Sequence, residues 1–389
     1  MDAYWRLSSL YFWYFALLGI FVPYWALYLE SRGFDDLQIA QLMATIMLTK
    51  IVAPSLWGWL ADRRGQRLPF VRAGALLAAL GFSGSLLEPG FWGMALVMLL
   101  YSFFWNAVLP LYEVITLNRL HHQRVLYGRI RLWGSIGFIV AVAVFGACLD
   151  AGWLAYLPVL MIPVFGLLIL TSWQVEEAPA RPVDALHPHA THGLWQVFAQ
   201  RPVWSFMVAN LLLQMSLGPY YTFFSIHLQR LGYSSTAIGL LWALGVVAEV
   251  ILFMIMHRLF ARYTLRMLAL IALLATAARW WVTADHAQIL WLLVLAQLVH
   301  AATYGVMHAV AVQLVHDRFP HVLQAQGQAL YSGLSFGCGG ALGAWGAGYL
   351  VHQGGTAQAF AVGAGVALMA AVLLGWGMRV RVERVHPDV

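Results

Sequence analysis

Two charged residues stand inside apolar segments of the stretch Val108–Phe138, VLPLYEVITLNRLHHQRVLYGRIRLWGSIGF. Glu113 lies in the first segment, Arg131 lies in the second, and a short basic link joins the two segments. An ionisable group inside a membrane span costs about 2.5–3.5 kcal/mol on insertion scales, so it usually faces a cavity or a partner. The pattern therefore predicts a polar site within the bilayer that includes Glu113 and Arg131.

A weak internal repeat relates two further charges. GFDDLQIAQL from Gly33 aligns with GYSSTAIGLL from Gly232, an offset of 199 residues, and the same offset carries Lys50 onto Glu249. Lys50 is also the only lysine in the chain. Two interpretations follow: Lys50 is a substrate anchor and Glu249 a proton-titrating carboxylate, or the two are a structural charge pair.

Long apolar segments must position these residues. Of the 389 residues, 62% are hydrophobic and 10% are charged, whereas soluble domains have about 25% charged residues. A membrane helix needs about 20 apolar residues, and the chain contains many such runs. The twelve predicted spans are 8–30, 36–60, 69–88, 91–118, 126–148, 152–173, 202–228, 235–258, 264–284, 288–315, 323–351 and 357–378. The composition predicts an all-α integral membrane protein with no separate soluble domain.

The basic residues indicate the orientation of the spans. If both termini are cytoplasmic, 17 of the 22 lysines and arginines fall on the inside, and only Arg32 and Arg230 fall outside. The positive-inside rule therefore predicts cytoplasmic termini. The predicted domains are a six-helix bundle at 1–173, a cytoplasmic linker at 174–200 and a second six-helix bundle at 201–389. Three linker histidines, at positions 187, 189 and 192, lack a fixed geometry, and we expect no metal site there.

Polar and aromatic side chains form stripes on four of the predicted helices. One stripe in each of spans one, four, seven and ten has the spacing of an α-helical face. The stripes are Tyr11, Tyr14, Trp25 and Tyr28; Asn106, Pro110 and Glu113; Asn210, Gln214, Tyr221 and Ser225; and Gln297, His300, Tyr304 and His308. A single aromatic residue is explained by core packing or by an interfacial belt. Four polar stripes predict a central cavity, because polar groups that face lipid are costly.

The sequence GWLADRRGQR, Gly58–Arg67, follows the second span. It resembles the cytoplasmic loop signature of the major facilitator superfamily, G-x-x-x-D-R-x-G-R-R, and the matching residues are Gly58, Asp62, Arg63 and Gly65. The glycines suit close packing and a tight turn. Asp62 can accept a hydrogen bond from a helix N-terminus or from an arginine across the interface of the two halves. We therefore assign this loop to a gate and not to the substrate site.

A second resemblance narrows the family. YGRIRLWGSIGF, with Glu113 placed eighteen residues before Arg131, resembles the fourth and fifth helices of the lactose permease group. This resemblance implies that Glu113 and Arg131 contact substrate. The stretches LWALGVVAEVILF, ARWW and HAATYGVMH look more like the phenylpropionate permease branch of the superfamily.

One position departs from the lactose permease pattern. The proton-coupling carboxylate of that group would fall at Thr303, which cannot titrate. If transport is proton-coupled, another group must carry the proton. The candidates are Glu113, Glu249, His300 and His308.

These observations predict a twelve-helix symporter in the bacterial inner membrane that imports a small organic solute by alternating access. Buried cations beside aromatic side chains suit an aromatic carboxylate such as 3-phenylpropionate. The predicted substrate contacts are Lys50, Glu113, Arg131, Trp25, Asn106, Gln214, Tyr221 and Tyr304, and Arg279 is predicted to pair with Glu249 or with a histidine. The expected partners are the solute, protons and the lipid bilayer. We expect no cofactor, no metal and no nucleic acid, and a functional monomer.

Two alternatives stay open. The Glu113–Arg131 pair also suits a sugar or nucleoside symporter, in which an aromatic ring such as Trp25 would stack on the sugar. A membrane-embedded enzyme or sensor is the other class, but the sequence contains no nucleophile elbow, no H-E-x-x-H motif and no phosphate loop.

Overall fold

The structure is a computed structural model that describes residues 3–120, 123, 125–177 and 191–378. Helices form almost all of this part of the chain, and no strand occurs in it. Ten helical segments in these ranges are long and apolar enough to cross a membrane. The predicted all-α membrane fold is therefore confirmed.

The first half contains six long helices: α1 (Ala3–Ser31), α2 (Asp36–Arg64), α3 (Leu68–Ser83), α4 (Phe91–Leu120), α5 (Val125–Asp150) and α6 (Leu157–Gln174). The start of α2 follows from its sequence. The Asp35 carboxylate accepts the backbone N–H of Gln38, and the Gln38 side chain accepts the backbone N–H of Asp35, which is a capping box. The helix ends at Gly65, whose φ of 68° is a left-handed conformation that glycine adopts at little cost.

The second half contains nine helical pieces: α7 (Thr191–Phe198), α8 (Arg201–Ser216), α9 (Gly218–Arg230), α10 (Ser235–Arg262), α11 (Leu265–Asp285), α12 (Leu290–Leu298), α13 (Met307–Arg318), α14 (Gln324–Ser332) and α15 (Gly340–Gly377). The π-helical segments Ala301–Val306 and Gly333–Gly339 join α12 to α13 and α14 to α15. Helix α7 lies within the predicted linker and was not anticipated. Linker residues 178–190, which include His187 and His189, lie outside the described residues.

The structure accounts for two spans beyond the ten. Gln324–Gly377 is one apolar segment of 54 residues, which as a straight helix would be about 80 Å long. A bilayer core is about 30 Å thick, and Gly355, with a non-helical φ of 84° and ψ of 174°, divides the segment into two crossings. Helices α8 and α9 have 16 and 13 residues and together form another crossing. This interpretation gives the twelve predicted spans.

The buried apolar residues form two clusters. The first draws mainly on α1 to α6 and also includes Phe223 and Ile226 of α9 and a few residues of α15. The second draws mainly on α8 to α15 and also includes Phe138 and Val142 of α5, so both clusters extend across the interface of the two halves. The domain limits at 173 and 201 remain a prediction.

The two halves are tied together at one face of the molecule. We call the face with the start of α1 and the α2–α3 loop the basic face, and the face with the α1–α2 and α9–α10 loops the opposite face. On the opposite face the Asp150 carboxylate accepts two N–H groups in the first turn of α10, at 2.6 and 3.0 Å. Arg230 donates to Glu30 at 2.8 Å and to Asp36 at 3.0 Å. On the basic face the described bonds of the α2–α3 loop and of the start of α8 stay within one half: Asp62 pairs with Arg67, and Arg201 donates to the Trp376 carbonyl. We interpret the space between the halves as open on this face.

A close approach of α5 and α10 also holds the two halves together on the opposite face. The Tyr24 hydroxyl of α1 donates to the Val142 carbonyl of α5 at 2.6 Å. A Cβ atom added at Gly239 of α10 would lie 2.6 Å from that carbonyl oxygen and would also meet the Tyr24 hydroxyl. Helices α5 and α10 therefore approach this closely only because residue 239 has no side chain.

Candidate transport site

Polar residues from both halves meet in the space between them. Glu113 on α4 and Arg131 on α5 form an ion pair with an Nε–Oε1 distance of 3.9 Å. Arg131 also interacts electrostatically with Glu249 on α10, in the other half. The Tyr304 hydroxyl, in the first π-helical segment, interacts with the charges of Glu249, Arg131 and Glu113. The structure thus brings together four of the predicted site residues.

The Glu113–Arg131 pair is loose and open. The side chains are 37% and 32% exposed, respectively, and their 3.9 Å separation is longer than a hydrogen bond. The guanidinium carbon of Arg131 lies 3.9 Å from the centre of the Phe15 ring, which holds the cation from one side. The Tyr127 side chain lies near Glu113 and interacts with its carboxylate. No described residue accepts a hydrogen bond from the terminal nitrogens of Arg131, so these donors are free to bind a carboxylate or a hydroxyl.

In the second half, Glu249, His300 and Arg279 form a chain of polar contacts. An Arg279 terminal nitrogen lies 3.1 Å from Nδ1 of His300, and Nε2 of His300 lies 3.9 Å from the Glu249 carboxylate. A guanidinium can only donate, so Nδ1 accepts and the proton of a neutral His300 is on Nε2, toward Glu249. Of the two predicted partners of Arg279, the structure shows the histidine.

Two glycines place His300 beside Glu249. A Cβ atom at Gly245 of α10 would lie 3.2 Å from the His300 ring, and one at Gly305 would lie 3.5 Å from Cγ of Glu249. The His300 ring therefore packs directly over Gly245. Leu252 is the nearest side chain to Gly305, at 2.8 Å from the added Cβ, and Glu249 lies beside it. The close approach of the two helices keeps the carboxylate and the imidazole near each other.

Arg279 is buried and has no carboxylate partner in the described part of the chain. It is 1% exposed, and its guanidinium carbon lies 4.3 Å from the ring centres of both Tyr220 and Trp280. A second terminal nitrogen lies 3.4 Å from Oε1 of Gln297. The aromatic rings and His300 thus stabilise this cation, which leaves the Glu249 carboxylate without a direct ion pair to it.

Lys50 has no hydrogen bond or ion pair with any described residue. It lies on α2 opposite the exposed Leu48 and Val52, which are 52% and 55% exposed. The preceding residue, Thr49, makes a hydrogen bond with Ser102 of α4. The following residue, Ile51, lies against Gly337 of the eleventh span. Lys50 therefore points between the two halves, and no electrostatic interaction joins it to Glu249.

Asn106 ties α4 to the turn of α2 that carries Lys50. Its amide nitrogen donates to the Ile46 carbonyl at 3.2 Å and to the Thr49 hydroxyl at 2.9 Å. The Asn106 amide nitrogen is therefore used within the bundle. Its observed role is to position α2.

The predicted stripe on the tenth span forms a ladder of rings. The ring centres of His300 and Tyr304 are 6.1 Å apart, those of Tyr304 and His308 are 6.0 Å apart, and each pair is nearly parallel. His308 also lies 3.4 Å from the Tyr331 hydroxyl. Phe336, in the second π-helical segment, contacts the ladder from the eleventh span. Such π-helical turns often occur at functional sites.

Gln214 and Tyr221 belong to the seventh span, and both side chains lie at the edge of this region. Tyr221 interacts electrostatically with Tyr304 and Glu249. Gln214 is 6% exposed and packs against the backbone at Gly339, with no hydrogen bond to another described residue. Its amide is therefore available to a bound solute.

Trp25 does not reach the site. It is fully buried inside the first half, its Nε1 donates to the sulfur of Met98 at 3.1 Å, and its ring stacks on Phe21 and Tyr28. Helix α1 is buried on nearly all sides, so its aromatic stripe also serves the bundle core. We correct the prediction: in this conformation Trp25 is a core residue and not a stacking surface for substrate.

The predicted gate loop has a local structure. Asp62 pairs with Arg67 of the same loop, Arg63 lies over the Trp59 ring, and a Cβ added at Gly58 would meet open space. Only Gly65 has the tight-turn conformation expected for the loop. The two predicted partners of Asp62 were a helix N-terminus and an arginine of the other half, and its observed partner is instead Arg67 of the same loop.

Several residues of the site escaped the sequence reasoning. Phe15 and Tyr127 position the Glu113–Arg131 pair, and Gly245 and Gly305 position Glu249 and His300. Phe15 and Tyr127 are ordinary apolar-span residues in the sequence. Gly245 and Gly305 could be recognised from the sequence only if the eighth and tenth spans were already known to be in contact.

A model of the MFS_1 like family matches residues 4–362. The chain belongs to this family. It is therefore a secondary transporter of the major facilitator superfamily, in agreement with the resemblance of its loop signature. Membership of this family indicates a transporter.

Two relatives show the range of this family. The chain is 30% identical over 337 residues to an Escherichia coli (strain K12) protein named "Probable 3-phenylpropionic acid transporter", covering 84% of this chain and 86% of that protein. It is 28% identical over 339 residues to the "Maltose permease" of Geobacillus stearothermophilus, covering 86% of this chain and 83% of that protein.

Solved major facilitator structures share the fold. The crystal structure of a mutant of the nucleoside transporter NupG superposes with a TM-score of 0.88 at 19% identity, covering 97% of this chain and all of that chain. A bacterial homologue of the human lysosomal transporter Spinster, inward-facing and occupied, superposes with a TM-score of 0.74 at 16% identity, covering 99% of this chain and 98% of that chain. At these identities the likeness shows the fold alone.

Proposed function

We propose that this major facilitator imports a small aromatic carboxylate, such as 3-phenylpropionate, together with a proton across the bacterial inner membrane. The observation that carries the proposal is Lys50, a membrane-embedded cation that has no anionic partner among the described residues and points between the halves. A buried charge of this kind is costly unless a partner neutralises it during function. A carboxylate from the solute supplies that partner.

The net charge of the site makes the binding of the solute and the binding of the proton depend on each other. Lys50, Arg131 and Arg279 are cations, and Glu113 and Glu249 are carboxylates, so the site has one positive charge in excess when His300 is neutral. Protonation of Glu249 adds a further positive charge and favours the binding of an anion. Binding free energies are reciprocal, so the bound carboxylate also favours the proton on Glu249.

The conformation suits release on the basic face, which we assign to the cytoplasm. The ties of Asp150 and Arg230 close the opposite face, while the halves are separated on the basic face. Uptake then requires a second state in which the opposite ties break and the loop of Asp62 meets the other half. Solute and proton together shift the balance between these two states.

The relatives support two solute classes. A probable 3-phenylpropionic acid transporter among them supports the aromatic carboxylate, and a maltose permease supports the sugar alternative. The free donors of Arg131 beside Glu113 also suit a sugar or a nucleoside, because hydroxyl groups bind such pairs by hydrogen bonds. The unpaired Lys50 favours the carboxylate, since a neutral sugar leaves its charge without a partner.

Thermal stabilisation of the purified protein tests the solute class. We expect 3-phenylpropionate to raise the melting temperature, because a bound solute stabilises the folded state. We expect its uncharged amide, maltose and uridine to have a smaller effect. Lys50→Gln should remove the stabilisation by the acid and spare the weak effect of the amide. Stabilisation by maltose or uridine in the absence of any effect of the acid would establish the sugar or nucleoside alternative instead.

A further inference from the structure

A cleft on the basic face lies apart from the transport site. It has a volume of about 230 Å³ and is lined by Ala3, Arg6, Leu7, Arg119, Val175 and Glu176. Leu7 and Val175 are 2% and 1% exposed and form an apolar floor. The cleft therefore joins the first turns of α1, the last turn of α4 and the chain that follows α6.

Two arginines in this cleft share one carboxylate. A terminal nitrogen of Arg6 lies 2.9 Å from one Glu176 oxygen, and a terminal nitrogen of Arg119 lies 3.4 Å from the other. One negative charge for two guanidinium groups leaves a net positive charge. The other guanidinium nitrogens have no partner among the described residues, and the two arginine side chains remain 35% and 37% exposed.

The unused donors have the geometry that recognises an oxyanion. A guanidinium group presents its N–H donors as a planar fork that matches the oxygens of a phosphate. Helix α1 begins at Ala3, on the rim of the cleft, and its described first turn contains no acidic residue.

Aromatic side chains place the cleft at the level of lipid head groups. Trp133 donates from Nε1 to the Tyr4 hydroxyl at 3.0 Å, and its ring centre lies 5.3 Å from that of Trp5. Trp5 is 48% exposed. Tyrosine and tryptophan side chains are typical of the membrane–water interface. Basic clefts at that level bind the head groups of anionic lipids.

We infer that the cleft of Arg6, Arg119 and Glu176 is a binding site for a phosphate group, supplied by an anionic phospholipid or by free phosphate. The phosphate oxygens accept hydrogen bonds from both guanidinium groups opposite Glu176. The bound group connects α1, α4 and the chain after α6, and so stabilises the basic end of the first bundle. This site is independent of the transported solute.

The test compares phosphatidylglycerol with phosphatidylcholine, and potassium phosphate with potassium chloride at equal ionic strength, on the purified full chain. Native mass spectrometry and the melting temperature measure binding. We expect phosphatidylglycerol, potassium phosphate or both to bind and stabilise the protein. The double substitution Arg6→Gln and Arg119→Gln should weaken this binding about a hundredfold, because each of the two lost charge-assisted hydrogen bonds corresponds to about tenfold.

Two further variants separate a site from a general effect of charge or folding. Arg258→Gln with Arg262→Gln removes the same charge from the end of α10, away from the cleft, and should leave binding unchanged. Glu176→Gln raises the local positive charge and should tighten binding, which a folding defect does not do. Stabilisation by phosphatidylglycerol alone identifies the lipid, and stabilisation by potassium phosphate identifies the free anion. Equal losses in both double variants, or no binding of either compound, would overturn the inference.

Discussion

Lys50 and Glu249 occupy equivalent positions in the two repeats, but their surroundings differ. Lys50 has no polar partner among the described residues, whereas Glu249 lies 3.9 Å from His300 and interacts electrostatically with Arg131. The two residues do not form the structural charge pair that was the alternative interpretation of the repeat. In the proposed function, one half supplies the anion site at Lys50 and the other supplies, at Glu249, a carboxylate that a proton can neutralise.

Glu249→Gln tests the proton site. Glutamine keeps the shape of the side chain but cannot gain or lose a proton. We expect the uptake driven by a pH gradient in proteoliposomes to fall about 5- to 150-fold, the usual range of coupling between two ligands. Exchange of labelled for unlabelled solute at equal pH should persist. Glu113→Gln is the matched control. Loss of pH-driven uptake in that variant alone would indicate that Glu113, and not Glu249, carries the proton.

The elements explain why the partner of Glu249 is His300. Gly245 and Gly305 let α10 and the tenth span approach each other. His300 packs over Gly245, and Leu252 packs over Gly305 with Glu249 beside it. The apolar lengths of the spans are sufficient to predict these helices and their order. They do not predict the rotation of each helix about its axis, which decides whether a stripe faces the cavity or its own bundle.

Trp25 and Arg279 are two residues whose contacts depend on helix rotation and could not be predicted from the sequence. Trp25 shares a stripe with Tyr11 and Tyr14, but α1 is the most enclosed helix of the ten candidate spans, with 72% of its apolar window buried, so the stripe lies largely in the bundle core. Arg279 had two predicted partners, and only the packing of α11 against the tenth span selects His300. Residue types and spacing thus predicted the charged set, whereas side-chain packing decided its contacts.

Gly245→Ala tests the packing between these helices. The added methyl group would lie 3.2 to 3.3 Å from atoms of His300, so the imidazole must shift and its distance to Glu249 changes. We expect a destabilisation of about 1–3 kcal/mol, as for overpacked interiors, and a larger loss of pH-driven uptake than of exchange. Gly365→Ala is the control, since a Cβ atom there meets open space. Equal pH-driven uptake in both variants would show that the separation of His300 and Glu249 does not matter.

The whole molecule is closed at the opposite face by a small number of ties. Asp150 binds the first turn of α10, Arg230 joins Glu30 and Asp36, and the backbones meet at Gly239. Exposed ion pairs contribute little individually, so the two conformations can remain close in free energy. Alternating access needs this balance.

Asp150→Asn combined with Arg230→Gln tests the ties. The double variant weakens the contacts that exist only when the opposite face is closed, so we expect the balance to move toward opening there by about 1–2 kcal/mol, roughly 5- to 30-fold in population. Spin labels at residues 87 and 288, which are exposed on the two halves of that face, should show a larger fraction of long distances. Arg32→Gln, which breaks only the Arg32–Glu88 pair within the first half, should leave the distances unchanged. An identical distance distribution in the double variant and the parent protein would contradict this assignment.

Solute-driven proton movement in proteoliposomes is the most direct measurement of the central claim, that Lys50 binds a carboxylate in a site shared with the proton on Glu249. A pH-sensitive dye reports the proton flux when 3-phenylpropionate is added, with protein-free liposomes as the reference for passive entry of the acid. We predict proton uptake above that reference in the parent protein and none in Lys50→Gln. Proton uptake that is the same in both, or a parent protein that does not exceed the protein-free reference with any aromatic acid, would contradict the account.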